Sequence, residues 1–199
     1  KALLTKWDFS NAESRSTLDM VSDCQKLAEN PEFEPRPFKT DDGKQPVKDL
    51  DNLEAEFFFP FLAHSPMEPL NCIIEPTKNG VRFYDGCQNP SGVQWASSYI
   101  LGLQPQQIEV KTIYAGGSFG RRNSPAVKDL YQAEAAIAFA LLGKKTPVKL
   151  VWDREDDIRG GYYRPMAFHK TKIGLDANGK ILRWDHRIAT KSISKGTDF

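Results

Sequence analysis

The sequence is poor in cysteine. Its three cysteines, Cys24, Cys72 and Cys87, stand far apart and form no Cys-x-x-Cys pair. Zinc and iron–sulfur sites are commonly built from such pairs, so we expect neither within this chain and predict no metal-ligating residues in it. Three isolated cysteines also argue against a disulfide framework.

The chain also lacks an excess of charge of one sign. Lysine and arginine number 27 and aspartate and glutamate number 26, which leaves a net charge of +1. This balance gives no electrostatic reason to expect nucleic acid as a partner. No apolar run reaches the roughly 18 residues that a membrane-spanning helix needs. With 199 residues, 40% of them hydrophobic, we expect a globular protein of one ample domain or two small ones.

Neither end of the sequence reads as a natural terminus. It begins KALLTKWDF, without a methionine or the layout of a signal peptide, and it ends abruptly in SISKGTDF. We therefore expect a segment of a longer protein, in which a missing targeting signal says nothing about the compartment.

Few helices and strands are predicted in the N-terminal third of the sequence. Residues 2–7 read as a short strand, and residues 30–49 read as an irregular connector with four prolines. Between them we predict a helix with Ser10 or Asn11 as its N-cap. Its apolar face would carry Leu18, Val21, Cys24 and Ala28. The run EAEFFFPFLA (54–63) predicts a buried strand, part of which Pro60 would make an edge or a bulge.

A strand–loop–helix unit then occurs twice. In the first, GVRFY (80–84) is the strand, and the helix has Asn89 as N-cap, Pro90 as first residue and Gly102 as its stop. In the second, IEVKTIYA (108–115) is the strand; the helix has the corresponding residues Ser124, Pro125 and Gly143.

The remaining residues favour a mixed architecture. TPVKLVW (146–152) predicts a further strand, and residues 164–190 predict two strands in a hairpin around Asp176–Gly179. We therefore predict an α+β fold with a mixed β-sheet and packed helices.

The loop GGSFGRRN (116–123) is the strongest candidate for a binding site. A loop between a strand and a helix presents free backbone N–H groups, and glycines let a ligand approach the backbone closely. Arg121 and Arg122 carry planar donors that fit phosphate oxygens. The pattern therefore favours a phosphate-bearing ligand, although a tight turn with solvent-facing arginines fits it too. Phe119 would pack against the core or against that ligand.

The first unit has a similar loop. Gln88 and Asn89 stand just before their own helix. If the two strands are neighbours, this loop and the glycine loop converge on one place.

Four motifs in this order carry a family resemblance: PFLAHSPMEPLNC (60–72), DGCQNP (85–90), AGGSFGRR (115–122) and PVKLVWDREDDIRGGYYRP (147–165). Together they resemble the molybdenum hydroxylases, the xanthine dehydrogenase and aldehyde oxidase family. The most similar branch is that of isoquinoline 1-oxidoreductase beta subunits and aldehyde dehydrogenase large subunits. The resemblance implies that residues 57–199 form an incomplete first molybdopterin-binding domain, behind an appendage and connector at 1–56.

The resemblance also implies the site residues. Those expected to bind the cofactor are Gln88, Gly116, Gly117, Ser118, Phe119, Gly120, Arg121 and Arg122. Those expected near the site are His64, Met67 and Glu68, of which we interpret Glu68 as a structural carboxylate. No catalytic residue is expected here, because the family's catalytic base is a glutamate in the distant C-terminal part of a much longer subunit.

Four positions depart from the family pattern. Ser118 stands where the branch usually has glycine, and Cys87 stands where threonine or serine is common. Leu62 replaces a glutamine of the xanthine branch, and Asn123 lies near the place of its substrate-binding glutamate. Recognition of a purine is therefore not expected.

The implied activity is that of a molybdenum-dependent oxidoreductase that hydroxylates N-heterocycles or oxidises aldehydes with water as the oxygen source. The resemblance implies molybdopterin cytosine dinucleotide as cofactor, a small-molecule substrate, a small [2Fe–2S] partner subunit and a cytochrome c as a further electron acceptor. It favours a periplasmic or membrane-associated location, with the cytoplasm left open. Two alternatives stay open: an inactive half-site scaffold, since this segment alone would lack activity, and an unrelated nucleotide-binding domain.

Other polar residues are interpreted as structural. His169 and His186 form no ligand spacing with His64, so each reads as a satisfied or surface histidine. DREDD (153–157) reads as a solvated cluster or a helix start, and Glu134 as a carboxylate whose partner must come from elsewhere in the fold.

Overall fold

The computed structural model describes residues 6, 8–30, 32, 51–123 and 131–193. Their elements in chain order are α1 (Thr17–Glu29), β1 (Asp51–Phe59), β2 (Asn71–Pro76), β3 (Val81–Asp85), α2 (Pro90–Leu101), a 3-10 turn (Pro105–Gln107), β4 (Ile108–Thr112), α3 (Tyr131–Leu141), β5 (Val148–Val151), α4 (Arg154–Arg159), β6 (Ala167–Leu175) and β7 (Ile181–Thr190). The expected α+β class is confirmed. None of these helices is long and apolar enough to cross a membrane.

Contacts divide the chain into two compact units. One comprises Lys1–Pro60 with Met166–Lys191, and the other comprises Phe61–Pro165 with Ser192–Phe199. The domain boundary expected between residues 56 and 57 stays a prediction.

The second unit is built on a mixed four-stranded sheet with strand order β4-β3-β2-β5. β3 and β4 run parallel, whereas β2 runs antiparallel to β3 and β5. The strand β2 was not predicted from the sequence. Alternate residues of β2 and β3 are buried, and Ile74 and Phe83 lie in the core under α2 and α3. Parallel pairing requires a crossover connection, which α2 provides between β3 and β4.

The predicted ends of α2 are confirmed. The Asn89 side chain accepts a hydrogen bond from the Gly92 N–H, Pro90 is the first helical residue, and Gly102 ends the helix in the left-handed region at φ 65°. Gly143 likewise follows α3 with φ 80°. The predicted start of that helix, at Ser124 and Pro125, lies outside the described residues.

The first unit is a three-stranded antiparallel sheet in the order β1-β6-β7, with α1 against one face. The hairpin predicted around Asp176–Gly179 is confirmed, and Asp176 accepts the N–H groups of Asn178 and Lys180 within the turn. Ala28 of α1 packs on Phe168 and Ala189 of the sheet.

Three expectations for this unit are wrong. The N-cap of α1 is Ser16, whose side chain and backbone form a capping box with Asp19. Ser10 and Asn11 lie in a turn that precedes the helix. Leu18 is 80% exposed, so it does not belong to the packed face. The described side chains of β1 are exposed, whereas we expected a buried strand. No described residues cover the apolar face of this strand.

Two further predictions fall outside the described residues. The strand at residues 2–7 has only residue 6 described, and the connector at 30–49 has only residues 30 and 32 described.

Candidate functional site

Two loops meet at one edge of the four-stranded sheet. Because β3 and β4 are parallel and in register, with Asp85 opposite Thr112, the loops that leave them start side by side. The Ser118 hydroxyl donates to Oε1 of Gln88, and the Gln88 N–H donates to the Arg122 carbonyl at 3.1 Å. The convergence expected from the sequence is confirmed.

The glycine loop needs its glycines for conformation and for space. Gly117 and Gly120 have φ values of 102° and 98°, which residues with a side chain rarely adopt. Gly116 is required for another reason: a Cβ there would lie 2.6 Å from the Cβ of Glu68. Phe119 itself has φ 55°, and its ring is 78% exposed. The ring therefore does not pack in the core, and its contact with a ligand stays a prediction.

Four successive backbone N–H groups of this loop are unpaired within residues 51–123 and 131–193. They belong to Gly117, Ser118, Phe119 and Gly120. On either side, the Gly116 N–H donates to the Glu68 carboxylate and the Arg121 N–H donates to the Ser118 carbonyl at 2.9 Å. Consecutive free amides around positive-φ residues form a concave donor set that suits an anion. The loop thus fits an anionic ligand through its backbone.

The Arg122 side chain is enclosed by the protein. Its side chain is 1% exposed. Its guanidinium donates to the Gly117 carbonyl at 3.1 Å and to the Glu68 and Pro69 carbonyls at 3.3 and 3.4 Å. These contacts make Arg122 the residue that fixes the glycine loop to the segment before β2. Its predicted direct contact with phosphate stays a prediction.

Glu68 completes this attachment. Its carboxylate accepts the Gly116 N–H and an Asn71 amide N–H, and it lies 3.2 Å from the Arg122 guanidinium. The Gly116 N–H, followed by Asn71, holds the pKa of Glu68 below its usual value, so the carboxylate is charged at neutral pH. Each of these contacts is structural, as interpreted from the sequence.

Arg121 is also buried and bound to the protein. Its guanidinium donates to the Gly160 carbonyl and lies over the Trp152 ring, with Cζ 5.3 Å from the ring centroid. A Cβ on Gly161 would lie 2.3 Å from this guanidinium, so glycine is required there. Arg121 thus packs the glycine loop against the segment after α4, and its direct contact with a cofactor also stays a prediction.

The segment with His64 and Met67 lies beside the loop. A Cβ on Gly120 would be 3.9 Å from Nε2 of His64, while Met67 is 91% exposed. Burial, followed by the charge of Arg121, lowers the pKa of His64, so its ring is neutral at pH 7. Arg154 of α4 fixes this segment by donating to the carbonyls of Pro66 and Met67.

Asp85 is a buried carboxylate that the sequence did not single out. It is fully buried at the end of β3 and accepts from the Tyr131 hydroxyl at 2.6 Å and the Gln132 amide at 2.5 Å. Burial raises its pKa against the opposing effect of these hydrogen bonds. Asp85 therefore joins β3 to α3 directly below the Gln88 loop. The available signal was its place as the first residue of the DGCQNP motif, directly after a predicted strand.

The structure also shows the contacts of the other polar residues that the sequence analysis interpreted. DREDD is a helix start: Asp153 caps α4, and Arg154 pairs with the buried Asp157 at 2.7 Å. The partner of Glu134 is an indole, since Trp152 Nε1 donates to it at 2.7 Å. Burial raises the pKa of the Cys87 thiol to about 12, so this departure from the family pattern leaves an unreactive side chain.

The fold and the motif order agree with a known family. A model of the molybdopterin cofactor-binding domain matches residues 27–192. The chain belongs to this family. The resemblance identified from the four motifs is therefore confirmed.

Individual members show how much of the family's length is present. The chain is 32% identical over 130 residues to the beta subunit of isoquinoline 1-oxidoreductase from Brevundimonas diminuta, a match that covers 64% of this chain and 16% of that subunit. It is 26% identical over 137 residues to a membrane-bound aldehyde dehydrogenase from Gluconacetobacter polyoxogenes, covering 69% of this chain and 17% of that protein. The chain thus spans about a sixth of the length of these relatives.

A solved structure supports the fold. The crystal structure of quinoline 2-oxidoreductase from Pseudomonas putida 86 superposes with a TM-score of 0.55 at 19% identity, covering 69% of this chain and 17% of that one. The likeness shows that the two chains share a fold over this segment.

Proposed function

We propose that this chain is a segment of the molybdopterin-binding catalytic subunit of an oxidoreductase that hydroxylates N-heterocycles or oxidises aldehydes with water as the oxygen source. Membership of the molybdopterin cofactor-binding family supports the cofactor. The names of the isoquinoline 1-oxidoreductase and aldehyde dehydrogenase relatives support the two substrate classes. The observation that carries the proposal is the row of backbone N–H groups from Gly117 to Gly120, which find no partner among the described residues and lie beside Gln88.

The residues present fit an anionic, oxygen-rich cofactor. The free amides of Gly117–Gly120 would donate to its oxygen atoms, and the exposed Phe119 ring would lie against it. Arg122 and Glu68 would hold the loop in place from behind. The molybdenum cofactor, once bound, would supply the two-electron redox chemistry, while this chain would position and polarise it.

The finer features of the enzyme are also proposals. We propose the cytosine dinucleotide form of the cofactor, a small [2Fe–2S] partner subunit and a cytochrome c as electron acceptor, because the motifs resemble the branch in which these occur. A periplasmic or membrane-associated location is proposed on the same ground, with support from the membrane-bound aldehyde dehydrogenase relative. Fractionation of cells that express the full-length protein tests the location.

A second candidate is a half-site scaffold that folds without retaining cofactor. It is favoured by the chain spanning only 16% of the isoquinoline 1-oxidoreductase subunit, since a cofactor held by the whole subunit can need contacts from the rest. The third possibility raised by the sequence, an unrelated nucleotide-binding domain, is excluded by the family match.

Elemental analysis of the purified chain separates these candidates. We expect molybdenum and a pterin-linked nucleotide to co-purify, and Gly120→Val to lower the molybdenum content at least tenfold by distorting the loop. Gly179→Val is the matched control, because Gly179 also has a positive φ, 78°, but lies in the β6–β7 turn. Equal molybdenum in both variants would rule out the loop as the binding element. No molybdenum in the unmodified chain would leave only the scaffold.

A further inference from the structure

Two histidines meet on the sheet of the first unit. His169 of β6 and His186 of β7 occupy diagonal positions, since His169 is opposite Ile188 and His186 is opposite Thr171. Nδ1 of His169 lies 3.0 Å from Nε2 of His186, and the ring centroids are 5.1 Å apart. Sequence spacing alone gave no reason to pair them, because their contact depends on the strand register.

The pair lies on the face of the sheet that α1 does not cover. Strand alternation places on this face the described residues Leu53, Ala55, Phe57, Phe59, His169, Thr171, Ile173, Trp184, His186 and Ile188. The opposite face carries the ion pairs Lys170–Glu56 and Lys172–Glu54. None of the described side chains on the histidine face is charged, so no neighbouring cation there would repel a metal ion.

We propose that His169 and His186 form a binding site for a late first-row divalent cation, with Cu²⁺, Ni²⁺ and Zn²⁺ as the fitting ions. Imidazole nitrogens suit these metals. Two nitrogens that each lie about 2.0–2.1 Å from one ion, at angles between square-planar and tetrahedral, are about 2.8–3.4 Å apart. The observed 3.0 Å falls in this range.

Bringing both nitrogens onto one ion requires only a ring adjustment. The rings are inclined at 42° to each other, and the terminal torsion of histidine is broad enough for a modest rotation. Both rings would bind the ion as neutral imidazoles. The proton shared in the histidine–histidine contact would move to the ring nitrogen that faces away from the ion, so no net proton or electron transfer is required.

The site supplies two protein ligands, and water completes the coordination. In the part of the chain that the structure describes, no group of three or more histidine, cysteine, aspartate or glutamate side chains could hold a metal ion. Binding should therefore be exchangeable and should follow the affinity order of divalent ions, with Cu²⁺ tighter than Ni²⁺. Because the ion would join β6 to β7, it should also stabilise the hairpin against unfolding.

Titration calorimetry with NiCl₂ and CuCl₂ on the 199-residue chain tests the site. We expect one ion per chain, with His169→Gln and His186→Gln each weakening binding at least tenfold and the double variant no weaker than either single one. Lys172→Gln, on the opposite face, is the matched control and should bind like the unmodified chain. The melting temperature should rise with NiCl₂ in the unmodified chain and the control, but not in the histidine variants.

Three outcomes would overturn the proposal. The unmodified chain could fail to bind the ion. Binding could also be unchanged in the double variant, which would assign the ion to another group. The two single variants could each retain tight binding and lose it only together, which would mean independent histidines and no shared ion. Circular dichroism of each variant checks that the sheet is intact, which we expect because His169 is half-buried and His186 is exposed.

Discussion

The Arg122 guanidinium lies 3.2 Å from the Glu68 carboxylate, and around this pair three segments of the chain are joined. Arg122 donates to carbonyls of Gly117 and Pro69, and its own carbonyl accepts the Gln88 N–H. The conformation of the glycine loop therefore depends on a buried side chain behind it.

Glu68→Gln should destabilise the second unit. The change removes the charge that faces a buried guanidinium and weakens the acceptor of the Gly116 N–H, at a cost of about 2 kcal/mol in unfolding free energy. Urea unfolding followed by circular dichroism measures the difference. The matched control is Glu155→Gln, because Glu155 pairs with Arg159 at an exposed site and should cost about 0.5 kcal/mol or less. Equal losses in the two variants would contradict the structural role of Glu68.

The effect of Glu68→Gln should also depend on pH. The pKa of Glu68 is lowered in the folded chain, so its contribution is present above the unfolded value of about 4.5 and is lost as the pH falls through the lower folded value. The difference between the unmodified chain and the variant should therefore shrink below pH 4.5. Unfolding curves at pH 7, 5 and 3.5 measure it; a difference that stays constant would argue against the lowered pKa.

Arg122→Lys should destabilise the glycine loop even though the charge is kept. A lysine ammonium cannot replace the planar fork that reaches the Gly117, Glu68 and Pro69 carbonyls, so we expect a loss of about 2 kcal/mol. Arg159→Lys at an exposed position is the control and should be within about 0.5 kcal/mol of the unmodified chain. Hydrogen exchange at residues 116–122 should accelerate in the first variant alone.

The Ser118–Gln88 contact should show measurable coupling. In a double-mutant cycle with Ser118→Ala and Gln88→Ala, we expect an interaction energy of about 1 kcal/mol, because the hydroxyl donates directly to the Gln88 side chain. Ser118→Ala alone should cost more than Gln88→Ala, since the Arg122 N–H also loses its acceptor. Strict additivity of the two single changes would show that the loops are not joined through these side chains.

Asp85→Asn should change how stability varies with pH. Burial raises the pKa of Asp85 above its unfolded value of 3.8, so the folded chain binds more protons and stability falls as the pH rises from that value to the folded one. The asparagine variant has no titrating group at this position, so it does not lose stability in this way. Its stability relative to the unmodified chain should therefore improve from pH 4 to pH 8 in unfolding experiments, and a relative decline over that range would contradict the raised pKa.

Local features of the fold were predictable from the sequence. The ends of α2 follow from Asn89, Pro90 and Gly102, because caps and stops depend on neighbouring residues. The convergence of Gln88 with the glycine loop followed from placing two like units side by side in one sheet.

What depends on distant contacts could not be predicted. Arginines in a glycine loop read as ligands for phosphate, yet Arg121 and Arg122 are bound to carbonyls whose positions only the tertiary fold sets. The exposure of β1 and the contact of His169 with His186 depend on which faces are covered and on strand register, which a single sequence does not state.

The pairing of β1 with β6 has a consequence for how the chain is made. Phe59 lies opposite Ala167, and Asp51 lies opposite Leu175. During translation the phenylalanine-rich strand must leave the ribosome long before its neighbour exists, whereas the second unit can assemble from nearly contiguous residues. An unpaired apolar strand is prone to associate with other nascent chains. The order of the strands thus leaves β1 without its hydrogen-bonding partner until β6 has been synthesised.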